Sequence, residues 1–264
     1  MQTILDGNYT AKRCVLVLGI FDGVHIGHRV LLRRGAALAR QHRVPLVVCT
    51  FQDHPLRLIA PDKCPPQLTT LEERKQLMEA LGVDVLYAQP FTREIMNTPA
   101  PEYVGELVRR FHPVHVVCGY NHTYGQKGEG TPALLEVLGG ALGFGVSIVP
   151  KITLEGQDVS STVIRQQLTR GNAAMAHAML GRPYLLEGQA VSRKENGVYT
   201  VRLARQGKQS LPDGTYQALA GCGEKRYPVV AKLKNQQIML RLPVLLKCEQ
   251  TVRLEFLNNL SIDF

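Results

Sequence analysis

Val15-Leu16-Val17-Leu18-Gly19-Ile20-Phe21-Asp22-Gly23-Val24-His25-Ile26-Gly27-His28 decides how the chain is read. The apolar run 15–18 has the composition of a buried strand, and residues 31–39 have helical spacing. The segment therefore reads as strand, glycine-rich turn, helix. Such a turn presents backbone N–H groups and a helix N-terminus to a bound anion. His25 and His28 add side-chain donors at the same place, and Gly27 allows close backbone approach because it has no Cβ. The combination suits a triphosphate whose α-phosphorus is attacked by another group's oxygen. Two other readings fit less well. A zinc site needs further Cys, His or carboxylate ligands at suitable spacing. A Walker A loop needs Gly-Lys-Ser/Thr, which is absent.

Outward from this turn, strand and helix alternate to about residue 182. Strands are expected at 13–19, 45–51, 83–88, 114–118 and 146–150. Helices are expected at 28–41, 70–81, 100–111, 132–142, 162–170 and 173–180. Thr70 and Ser161 are the expected N-caps, and Gly82 and Gly171 the expected stops. Valine-rich strands poor in charge, alternating with helices, imply a Rossmann-like doubly wound α/β sheet. Ligands of such sheets bind outside the carboxyl ends of the strands. The turn 19–28, the segment 51–55 and the loop 119–130 all follow strand ends and should meet at one edge.

After Pro183 the texture changes to alternating strands, expected at 188–190, 198–204, 215–220, 227–233, 237–242 and 251–256. Asn196-Gly197 and Pro212-Asp213-Gly214 are turn signals between them. Six short strands in about 80 residues suggest a small closed antiparallel barrel. The expected domains are 1–182 and 183–264, with no low-complexity linker between them.

Composition agrees with this reading. The chain has 264 residues, 45% of them hydrophobic, with a net charge of +9, which suits polyanionic ligands. No run of five or more basic residues appears and aromatics make up 6%, so nucleic acid is not an expected partner. No run of eighteen apolar residues suggests a membrane span, and residues 1–13 lack the apolar core of a secretory signal. Cys14, Cys49, Cys64, Cys118, Cys222 and Cys248 form no Cys-x-x-Cys; Cys14, Cys49 and Cys118 lie in or beside expected buried strands and read as reduced core residues of a cytoplasmic protein. Oligomeric state is not legible.

Gly-x-Phe-Asp-Gly-Val-His-x-Gly-His at 19–28 resembles the nucleotidylyltransferase signature in the form typical of bacterial FAD synthetases. Those proteins fuse an FMN adenylyltransferase to a C-terminal riboflavin kinase. The His-x-Gly-His core alone is shared with synthetases of NAD, coenzyme A and phospholipid precursors. Four further segments match the narrower family. Cys49-Thr50-Phe51-Gln52-Asp53-His54-Pro55 resembles its Thr-Phe-x-x-His-Pro. Leu68-Thr69-Thr70-Leu71-Glu72-Glu73 resembles a helix start, and Gly119-Tyr120-Asn121-His122-Thr123-Tyr124-Gly125 a ligand loop, with Tyr124 where Phe is usual. Ser160-Ser161-Thr162-Val163-Ile164-Arg165 resembles the second nucleotide signature. With Leu180-Gly181-Arg182-Pro183-Tyr184, ordered matches run from about residue 15 to about residue 184.

The resemblance implies transfer of AMP from ATP to FMN, giving FAD and pyrophosphate. His25, His28 and Arg165 would be the catalytic residues. Gly19, Phe21, Asp22, Gly23, Gly27, His28, Gly119, Asn121, Ser160, Ser161, Thr162 and Arg165 would bind ATP. Phe51, His54, Pro55, Asn121 and Tyr124 would bind FMN. Mg²⁺ would be held chiefly by phosphates and water, with Asp22 as the candidate protein contact. Several of these residues have plainer readings: Phe51 as core, Tyr124 as a loop aromatic, Ser160 and Ser161 as caps. His112 and His115 match nothing in the family and read as structural.

The second domain departs from the family. Leu211-Pro212-Asp213-Gly214-Thr215-Tyr216 resembles its Leu-Pro-x-Gly-x-Tyr, but the glycine-rich ATP loop and Pro-Thr-Ala-Asn are missing between Gln189 and Val198. Near the expected base, residues 235–240 contain no carboxylate. Loss of riboflavin kinase activity is therefore expected. Two alternatives stand beside this reading: a flavin- or nucleotide-binding regulator, and an adenylyltransferase for another small phosphate.

Overall fold

The computed structural model describes residues 1–193, 197–204, 207–244, 246–247 and 249–260. Asn196, of the expected hairpin turn, and Cys248 lie outside the described residues. The chain divides into two compact units, one of residues 1–65 and 69–156, the other of 66–68 and 157–264.

The first unit is built on a six-stranded sheet in the order β1 (Gln2–Ile4), β4 (Val85–Gln89), β3 (Leu46–Phe51), β2 (Cys14–Leu18), β5 (Pro113–Gly119), β6 (Gly145–Val149). Every pairing is parallel. All five residues of β2 are buried, which is why this strand reads as an unbroken apolar run. Its side chains split between two cores. Cys14, Leu16 and Leu18 join Val104, Leu107 and Phe111 of α5 (Ala100–Phe111) on one face. Val15 and Val17 join Leu31, Leu32 and Leu38 of α1 (Ile26–His42) on the other. This covering of both faces is what a parallel sheet requires. The remaining helices of the unit are α2 (Leu56–Ile59), α3 (Leu71–Glu79), α4 (Arg93–Asn97) and α6 (Pro132–Leu142).

Thr70 caps α3 in a capping box. Its hydroxyl accepts from the Glu73 N–H, and the Glu73 carboxylate accepts from the Thr70 N–H. Gly82 and Gly171 both have positive φ just beyond helix ends. Cys14, Cys49 and Cys118 are buried strand residues with free thiols. Burial pushes the first two up to about 12 and the third to about 11, so they stay protonated and inert. Two short strands, β7 (Thr153–Leu154) and β8 (Gln157–Asp158), end the first unit and open the second.

In the second unit, α7 (Ser161–Thr169) and α8 (Ala173–Leu180) precede a closed barrel. Its strands are β9 (Tyr184–Arg193), β10 (Val198–Leu203), β11 (Gly214–Cys222), β12 (Lys225–Lys234), β13 (Gln237–Arg241) and β14 (Thr251–Asn259). The pairing order is β10, β13, β12, β11, β14, β9, closed by an antiparallel β9–β10 pair. Alternation along β14 buries Val252, Leu254 and Phe256 while Arg253 stays exposed. One expected cap needs correction. Ser160, not Ser161, caps α7: it is extended (φ −148°, ψ 158°) and its hydroxyl accepts from the Val163 N–H at 3.2 Å. Ser161 is the first helical residue. Among the described residues, no helix is long and apolar enough to cross a membrane.

Candidate active site

β2, β3 and β5 are adjacent and parallel, so the segments that follow them emerge at one edge of the first unit's sheet. After β2 the chain makes a turn with three residues at positive φ: Phe21 (57°), Gly23 (85°) and Val24 (39°). Glycine tolerates this conformation, whereas a β-branched valine is strained in it. Such strain persists only where surrounding bonds over-determine the backbone, and they do here. The buried Asp22 carboxylate accepts from the Thr69 N–H at 3.0 Å and from its hydroxyl at 3.2 Å. The same Thr69 hydroxyl oxygen accepts from the Gly23 N–H at 2.9 Å.

The turn delivers His25 to the N-cap of α1. His25 Nδ1 accepts from the His28 N–H at 3.3 Å, so any proton on a neutral His25 ring sits on Nε2. The two rings stack, with centroids 3.6 Å apart and planes at 17°. The Phe21 ring lies 5.2 Å from that of His28. The first turn of the 17-residue α1 contains no acidic side chain, so no carboxylate of the helix itself offsets its positive end. Ring nitrogens and a helix N-terminus thus lie together, an arrangement suited to an anion.

At the end of β3, the half-buried Phe51 packs edge-on against Phe91, with centroids 5.0 Å apart. His54 Nδ1 accepts from the Leu56 N–H at 3.2 Å, and Pro55 leads into α2. Arg74 enters from α3 and donates to the carbonyls of Ile20, Phe51 and Gln52.

At the end of β5, Gly119 is followed by exposed Tyr120 and Asn121. Tyr124 is buried. Its ring packs between His122 (5.7 Å) and Tyr103 (5.8 Å), and its backbone pairs with Gly130. The loop is anchored to the start of α5. Gln126 N–H donates to the Thr98 carbonyl at 2.8 Å, and the Glu129 carboxylate accepts from the Ala100 N–H at 2.9 Å. Gly125 has φ 72°, and a Cβ there would lie 2.6 Å from the Ala100 Cα.

The second unit carries the remaining expected residues. Ser160 caps α7, Thr162 is exposed in its first turn, and Arg165 Nε donates to the Pro66 carbonyl at 2.6 Å. His112 and His115 serve separate structural bonds. His112 Nδ1 lies 2.8 Å from the Ala11 carbonyl, and His115 Nε2 lies 2.8 Å from the Ser147 hydroxyl. Thr69, Arg74, Phe91 and Tyr103 were not among the expected site residues. Only Thr69 lay within a quoted motif.

His122 gives the site a pH signature. Its Nε2 is enclosed with no hydrogen-bond partner, and burial depresses its pKa from 6.5 to about 4. Because the folded value lies below the unfolded one, the unfolded chain binds more protons between these pH values. The stability contribution is complete above about pH 6.5 and is lost as pH falls towards about 4. A shift of this size corresponds to up to about 3 kcal/mol. Burial also depresses His115, with Arg34 and His42 adding to the effect, so the His122 share is read by comparison. Urea melts of wild type and His122→Phe at pH 7 and pH 4 should show a smaller acid loss in the variant. Equal losses would remove His122 as the source.

The FAD synthetase family profile matches residues 8–163. The bifunctional riboflavin kinase/FMN adenylyltransferase of Escherichia coli K12 is 34% identical over 228 residues, covering 83% of this chain and 72% of its own. The Listeria monocytogenes protein of the same description is 34% identical over 195 residues, covering 74% and 62%. That of Bacillus subtilis is 32% identical over 187 residues, covering 70% and 58%. A solved chain described as a macrolide-efflux protein from Streptococcus pneumoniae matches 98% of this chain and 90% of its own, at 25% identity and a TM-score of 0.86.

Proposed function

Because this chain belongs to the FAD synthetase family and is an FMN adenylyltransferase, we propose that it makes FAD at the carboxyl edge of β2, β3 and β5 and does not phosphorylate riboflavin. The observation that carries the first part is the turn that stacks His25 on His28 at the positive end of α1.

In the reaction, an oxygen of the FMN phosphate attacks the α-phosphorus of ATP in line. The new P–O bond forms as the bond to the bridging oxygen breaks, and the electron pair leaves with pyrophosphate. Such a transfer needs little covalent help; positioning and charge stabilisation carry it. His25 and His28 would donate to the α-phosphate oxygens as charge grows there. By family resemblance, Ser160, Ser161, Thr162 and Arg165 would hold the outer phosphates, the guanidinium of Arg165 bonding two oxygens at once. Phe51, His54, Pro55, Asn121 and Tyr124 remain the candidates for the flavin side.

Mg²⁺ would neutralise triphosphate charge. One oxygen of Asp22 is already engaged by Thr69, and among the described residues no group of three or more His, Cys, Asp or Glu could hold a metal. These residues fit a Mg²⁺ bound mainly through phosphates and water, with Asp22 as at most a single protein contact. We divide the chain by function at residue 182, the nucleotide signatures lying before it and the barrel after. Reduced, buried cysteines fit work in the cytoplasm.

The test is incubation of the full chain with ATP, Mg²⁺ and FMN, with nicotinamide mononucleotide and phosphopantetheine in parallel. FAD and pyrophosphate should appear in equal amounts from FMN alone. No FAD over hours at micromolar enzyme would sink the assignment, and turnover of another phosphate would transfer it.

A further inference from the structure

We propose that Arg74 is a positioning residue for adenylyl transfer, fixing the carboxyl ends of β2 and β3, and with them the histidine turn and the Phe51–His54 segment. The proposal rests on the reading of the chain as an FMN adenylyltransferase, and it adds a residue to that machinery.

The β2–β3 ladder ends at the Leu18–Cys49 pair, followed by a Gly19 N–H bond to the Cys49 carbonyl at 3.4 Å. Beyond this point the two chains diverge, and their carbonyls need other donors. Arg74 supplies them from α3, 54 residues from Ile20 and 23 from Phe51. Its Nη1 donates to the Ile20 carbonyl at 3.2 Å and to the Phe51 carbonyl at 3.0 Å, so one nitrogen bridges both strand ends. Its Nη2 donates to the Gln52 carbonyl. The Ile20 carbonyl, immediately before the strained Phe21, also accepts from the Thr50 hydroxyl at 3.1 Å. The same helix start carries Thr69, which is tied to Asp22 and Gly23. One short stretch therefore holds the histidine turn at three residues and the flavin-side segment at two.

The chemistry of the side chain argues that position, not packing, is its use. Arg74 is 4% exposed, and none of the described ion pairs includes it. Burial works against its charge, while the more distant Asp22 and Asp53 favour it. A buried cation is expensive, and an apolar side chain of similar size would fill the space at lower cost. A planar fork spreads its donors over separate nitrogens, here Nη1 for Ile20 and Phe51 and Nη2 for Gln52; an ammonium gathers its three donors at one flexible point and a thioether has none.

The experiment compares wild type, R74A and R74K in the FAD assay, well below their melting temperatures, with circular dichroism to measure the folded fraction. For R74A, kcat/KM should fall ~100-fold for both ATP and FMN, because each depends on one of the two strand ends. Millimolar guanidinium should restore at least ~10-fold of this activity, an effect that repaired global stability alone would not give. R74K keeps the charge but not the fork and should lose ~10-fold in kcat with an unchanged folded fraction. Folded R74A with kcat and both KM values within twofold of wild type would overturn the proposal, as would a loss confined to one substrate. If R74A does not fold, R74K decides: a kcat within twofold of wild type, or a loss matching its unfolded fraction, has the same consequence. An inactive wild type would instead count against the family reading itself.

Discussion

His28→Ala should lower the rate of FAD formation at least ~100-fold, the scale seen when one preorganised transition-state donor is removed. That is about 2.7 kcal/mol of lost transition-state stabilisation. The geometry separates this loss from a folding defect. The cap of α1 is made by the backbone N–H of His28 to His25 Nδ1, and alanine keeps that N–H. The imidazole removed is half-buried, stacked on His25 and 5.2 Å from the Phe21 ring, so its stability cost should be about 1 kcal/mol. Melting within a few degrees of wild type, unchanged FMN binding and a collapsed rate are the expected set. Near-normal turnover would take His28 out of the mechanism.

With riboflavin in place of FMN, neither FMN nor FAD should form. Phosphoryl transfer to a ribityl hydroxyl needs a cradle for the ATP phosphates and a group that orients the nucleophile. β9 ends at Arg193 and β10 begins at Val198, which leaves four positions for a loop that must wrap a triphosphate. The β12–β13 turn, near the expected base, is a tight hairpin with Asn235 and Gln236 at positive φ and no acidic side chain. The carboxylates of Glu187 and Glu255 are paired with Arg253 and Arg226. The assay is riboflavin, ATP and Mg²⁺ with the full chain, read by chromatography against a control without enzyme. Either product above that control would reveal a phosphate site built from other residues.

Much of the fold was legible because its signals are local. The expected spans of α5, α6 and α8 coincide with the observed helices, each bounded by proline, glycine or a side-chain cap. β1 escaped notice because three residues carry no periodicity, and α2 and α4 because a single turn has no apolar stripe. In the barrel, β9 was expected only at 188–190, although it runs from Tyr184 to Arg193. Consecutive Leu185 and Leu186, then Gly188, break the alternation that marks a strand. At the candidate site, the juxtaposition of His25 and His28 was readable from their spacing. Thr69 and Arg74 were not readable as parts of it, because their partners lie 22 to 54 residues away and a single sequence does not encode which distant carbonyl a side chain will reach.

The bonds from Thr69 and Arg74 also bear on how tightly a nucleotide can be held. A loop that orders only when its ligand arrives spends part of the contact energy on lost backbone freedom, about 1–2 kcal/mol for each residue fixed. Between Ile20 and Gly23 that freedom is surrendered once, as the chain folds. At the proposed phosphate site, each later encounter with a triphosphate would meet a surface with little disorder left to lose, so more of what the phosphates gain there would remain as affinity.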